Sequence, residues 1–67
     1  MSSKDLKALA AKFDGIADDP AKVKALVATS RAAHPKDTDC TAFLDDVESA
    51  ADAAAIRQLC ADVAAKP

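Results

Sequence analysis

The apolar residues of this chain repeat one spacing four times, and the repetition leaves little room for anything but a set of short helices. Leu6, Leu9, Ala10 and Phe13 form the first set and Val23, Leu26, Val27 and Ser30 the second. Cys40, Phe43, Leu44 and Val47 form the third, and Ile56, Leu59, Cys60 and Val63 the fourth. Each set reads i, i+3, i+4, i+7, which places its members on one face of an α-helix. The alternating β-branched or aromatic runs that mark strands do not occur. The expected fold class is all-α: a compact four-helix domain of short helices, with residues 1–67 forming a single helical domain.

Polar punctuation sets the helix limits. Ser2 caps a first helix over about 3–17, with Asp5 three residues on and Ile16 extending its stripe. Asp19-Pro20 is an N-cap followed by a residue suited to the first helical position, so the second helix spans about 20–33. Pro35 disfavours helix at His34 and ends it. Asp37 or Thr38 caps a third helix over about 38–49.

The boundary before the fourth helix carries no glycine or proline, and there the phase of the stripe decides. At about 100° per residue, Cys40, Phe43, Leu44, Val47 and Ala51 cluster around one direction. Ile56, Leu59, Cys60 and Val63 cluster about 150° away. One straight helix would bury opposite faces in its two halves. A break near 49–52, capped by Ser49 or Asp52, removes the conflict and leaves a last helix over about 52–65, with one long continuous helix as the alternative. The last two helices then form an antiparallel hairpin turning near Ala50.

In that hairpin Cys40 lies opposite Cys60, at equal sequence distance from the turn. Both cysteines sit on apolar stripes and should face the core. Three chemistries are open to them. A disulfide needs Cα atoms about 4.4–6.8 Å apart and would add roughly 3 kcal/mol by closing the loop. Two buried free thiols would act as small hydrophobes. A redox or metal role lacks the usual C-x-x-C spacing, and Asp37 and Asp39 beside Cys40 would raise a thiol pKa.

Composition limits the core. Of 67 residues, 18 are alanine and only thirteen are Leu, Ile, Val or Phe, with no Trp or Tyr. At about 1.5–3 kcal/mol per buried large side chain, such a core barely exceeds its ordering entropy, so close packing, a staple or a partner is needed. Charge is polarised within the net −2. Residues 1–36 hold seven Lys/Arg against four Asp/Glu, and residues 37–67 hold two against seven. The halves can attract one another within the fold, or present charged faces to a partner.

The chain's motifs exclude more than they establish. His34, Cys40 and Cys60 match no zinc spacing, and Asp37 and Asp39 lack the glycine and terminal glutamate of a calcium loop. No nucleophile–base pair, phosphate loop or cofactor motif is visible, so no enzyme, cofactor or metal is expected. The basic residues have no aromatic interleaving, which makes nucleic acid an unfavoured partner. No apolar run is long enough for a signal peptide or a membrane span. Asp45, Asp46 and Glu48 read as a solvated acidic face.

On the second helix, Ala21, Ala25, Ala28 and Ala32 recur roughly 180° from Val23, Leu26 and Val27. A second stripe of small residues fits a central helix, a flat seam for another chain, or plain exposed filler. The leading expectation is a non-enzymatic interaction or regulatory module that binds a protein partner, or itself, through a helix face. The alternatives are a secreted, disulfide-stapled, toxin-like helical effector and a small metal- or thiol-redox protein. A cytoplasmic location is expected, with secretion the alternative if Cys40 and Cys60 are bonded.

Overall fold

Four helices form, and one capping device opens each of them. The computed structural model describes residues 1–67. Its elements are α1 (Ser3–Ile16), α2 (Pro20–Ala33), α3 (Thr38–Ser49) and α4 (Ala53–Ala64). In each, a side-chain oxygen of the N-cap accepts the backbone N–H three residues on. Ser2 accepts from Asp5 at 3.1 Å, Asp19 from Lys22 at 3.2 Å, Asp37 from Cys40 at 3.0 Å and Asp52 from Ala55 at 2.9 Å. Each bond satisfies a donor that a helix start leaves unpaired.

The expected limits hold within a residue. Ala17 is the C-cap of α1 rather than its last turn, and it is buried. Asp52 stays outside α4 because its backbone is extended at φ −158° and ψ 179°, the conformation a capping side chain requires. The phase break falls on Ala50–Asp52, between α3 and α4.

The helices pack around one core of 13 residues, to which all four contribute. α1 packs most extensively on α4, followed by α2 on α3, while α1 on α2 and α3 on α4 are slighter. α1 and α4 run antiparallel. At one end Ser3 Oγ donates to the Pro67 carbonyl at 3.2 Å, and at the other Arg57 grips Asp18. α4 also returns beside α3, so that Asp39 and Phe43 line a surface groove together with Leu59 and Val63. The two aromatic rings tie α1 to α3 through the core. Phe13 is fully buried, and its ring meets Phe43 edge to face.

The cysteines are not joined. Cys40 and Cys60 are both buried and both free. Equal distance from a turn fixes the height of two residues along a hairpin, not the directions they face. Cys40 lies in the first turn of α3, in the field of Asp37 and Arg31. Cys60 lies beside Asp14 of α1, the helix on which α4 mainly packs.

Candidate interaction surface

α2 is the helix with the most surface to spare. Pro20 starts it, and it ends at His34, whose N–H still donates to the Ser30 carbonyl at 3.0 Å but whose backbone leaves the helix at φ −132° and ψ 58° ahead of Pro35. It buries Val23, Val27 and Ser30, with Leu26 partly covered. Ala21, Ala25, Ala28 and Ala32 are all exposed, which removes the reading of α2 as a central helix. Small side chains there leave the helix backbone open to close approach by another surface.

Beside this stripe runs a groove of about 600 Å³ between α2 and the turn joining α3 to α4. Ala17, Val23, Val27, Val47 and Ile56 supply its apolar lining. Lys24 and Arg31 stand on the α2 side, and Glu48 and Asp52 on the other. Ala28 belongs to both the groove wall and the exposed stripe, so the two features form one continuous surface.

Arg31 bridges α2 to the acidic face of α3. Its Nη2 donates to Asp45 at 2.6 Å and to Glu48 at 2.9 Å, and its Nε donates to Glu48 at 3.1 Å. These two carboxylates push the guanidinium pKa further up. Asp46, the third member of the expected acidic face, takes no part in the bridge. It lies on a second groove of about 490 Å³, with Asp39 and Asp62 among its lining and Lys66 nearby. The acidic face is thus divided between two sides of α3.

Two more ion pairs tie the ends of the fold. Arg57 donates to Asp18 through Nη1 at 3.2 Å and Nη2 at 2.5 Å, and this fork holds the Asp18 carboxyl below its ordinary range. The terminal ammonium of Met1 pairs with Asp37. That contact and the Cys40 backbone N–H hold Asp37 low, while the carboxylate raises the ammonium pKa.

The chemistry-bearing residues do not converge. Burial is the main cause that pushes both thiols up, with Asp37 adding to it at Cys40 and Asp14 at Cys60. His34 is exposed at the end of α2. No three His, Cys, Asp or Glu side chains gather as a set that could hold a metal ion. No helix is long and apolar enough to cross a membrane. Comparison with protein-family models, with characterised proteins and with solved structures gave no match.

Neither the groove nor the Arg31 bridge is expected from the sequence patterns above. One signal for the bridge was available: Arg31 is the only strong cation in the second half of α2, and α3 carries no cation at all. The groove had no sequence signal, because it depends on how far the α3–α4 turn stands from α2.

Proposed function

We propose that this chain is a non-enzymatic helical module that binds a protein partner, or another copy of itself, through α2 and the adjoining groove. The observation that carries this reading is the continuity at Ala28 of an exposed small-residue face with an apolar groove. Such a surface lets a second helix lie close on α2 while larger apolar groups cover the groove floor. With Arg31 and Glu48 paired to each other, Lys24 on one rim and Asp52 on the other remain to steer a partner of complementary charge. The groove lining pairs no nucleophile with a base, which favours binding over catalysis. Two buried free thiols suit a reducing compartment, so the proposal places the chain in the cytosol.

The test is the double variant Ala25→Glu, Ala28→Glu in extract from the chain's natural cells. It should keep the helical circular-dichroism signal and elute at a smaller apparent size than the unaltered chain. Identical elution of the two would contradict the reading.

A further inference from the structure

We propose that the groove between α3 and α4 takes a cationic amphipathic helix of another protein, with Lys or Arg seven residues apart on either side of large apolar side chains. The site is separate from the α2 surface, and neither depends on the other.

The groove is built as an extension of the core. Asp39, Ala42, Phe43 and Asp46 line it from α3 at spacing i, i+3, i+4, i+7, so they form one continuous helix face. Leu59 and Val63 line it from α4, and Leu6 from α1. Phe43 and Val63 are buried, whereas Leu6 and Leu59 are half-buried and pack against the core from outside. A further apolar side chain laid in the groove would cover what these two leave open.

Charge selects the occupant. Asp39, Asp46 and Asp62 stand on the groove against a single cation, Lys66. All four are exposed, and none takes part in the ion pairs of the fold. Asp62 accepts from the Gln58 amide at 2.9 Å, which leaves its charge unmatched. An anionic partner would be repelled here, and a cationic one is attracted and fixed in register.

Spacing selects a helix. Asp39 and Asp46 lie seven residues apart on α3, which is about 10 Å along its axis. Cations seven residues apart on a bound helix have the same separation, and the positions i+3 and i+4 between them meet the apolar lining. The walls are all helical, so an extended segment finds no strand edge to pair with. This chain does not supply the occupant itself. Its one run with cations at i and i+7 around apolar residues at i+3 and i+4 is Lys24, Val27, Ala28 and Arg31. There Val27 is buried in the core and Arg31 is bound to Asp45 and Glu48.

The probe is a fluorescein-labelled peptide, two repeats of Lys-Ala-Ala-Leu-Leu-Ala-Ala followed by Lys, titrated with the full chain and read by fluorescence anisotropy. At low salt it should bind, and an analogue with Glu in place of every Lys should bind at least ~10-fold more weakly. Asp39→Asn, Asp46→Asn should weaken binding by about 10-fold. Ala42→Lys, which sets a cation on the exposed wall between the two acids, should weaken it at least as much. Both variants should keep the helical circular-dichroism signal. Ala25→Glu, Ala28→Glu should bind the peptide as the wild type does, because α2 lies outside this groove. No anisotropy change up to about 1 mM chain, equal affinity for the Glu analogue, or unaltered binding in both groove variants overturns the proposal. Loss of binding in Ala25→Glu, Ala28→Glu alone also overturns it, and would put the peptide on α2 instead.

Discussion

The rings of Phe13 and Phe43 meet edge to face, with centroids 5.7 Å apart and planes at 70°. They are the only aromatic residues of the chain, and they join α1 to α3 across a core otherwise built of aliphatic residues, alanine and cysteine. The geometry is the one favoured by the ring quadrupoles, worth about 0.5–1.5 kcal/mol beyond burial.

Phe13→Ala should unfold the chain. Truncating a buried Phe costs about 3–5 kcal/mol, which matches the roughly 3–5 kcal/mol that a single core of this size supplies. Phe13→Leu should leave a folded protein with a lower urea midpoint. A Phe13→Ala variant with the wild-type midpoint would show that the contact carries no weight.

Asp52→Ala should destabilise the chain by about 1 kcal/mol and loosen the first turn of α4. Asp52 accepts the Ala55 N–H and is the residue at which the α3–α4 phase break is fixed. Amide exchange should speed up at Ala55 and Ile56 and stay unchanged in α2. Uniform acceleration over all four helices would point instead to global destabilisation.

These two sites show what could be read from residue order. The periodic stripes identify the core, and the caps at Ser2, Asp19, Asp37 and Asp52 fix the helix starts, because both are local properties of the chain. The facing of Cys40 and Cys60 was not legible in the same way. It depends on α4 packing mainly against α1, a relation between elements far apart in sequence. The alanines of α2 stand on the face that the sequence assigned to them. Their exposure, and the groove beside Ala28, follow only from the placement of α2 at the edge of the bundle.

Both thiols should react slowly in the native state. Cys40 and Cys60 are buried with raised pKa values, so a thiol reagent must wait for opening of the fold. Labelling near pH 8 should be at least ~100-fold slower than in denaturant. Mild oxidation of the native protein should not form the internal bridge. Fast labelling of either cysteine without denaturant would contradict the burial.

Stability should fall at both ends of the pH scale. Asp18 and Asp37 have lowered folded pKa values. Their contributions are full above the ordinary Asp value of about 4 and are lost as pH falls through the lowered values. The thiols have raised folded values. Above the ordinary Cys value of about 8.5 the unfolded chain releases thiol protons that the folded chain retains, so stability declines as pH rises. Urea midpoints should therefore be level between about pH 5 and 8. The alkaline slope should be shallower in Cys40→Ala, Cys60→Ala. An unaltered alkaline slope in that variant would remove the thiols as its cause.

In the function proposed above, α2 is the face through which this chain meets another. Site-specific photo-crosslinking in the natural cells tests it most directly, with the reactive residue at Ala25 in one experiment and at the exposed Ala61 of α4 in another. One discrete adduct is expected from Ala25, lost on Ala28→Glu, and none from Ala61. No adduct from Ala25, or equal adducts from both positions, would contradict that role of α2.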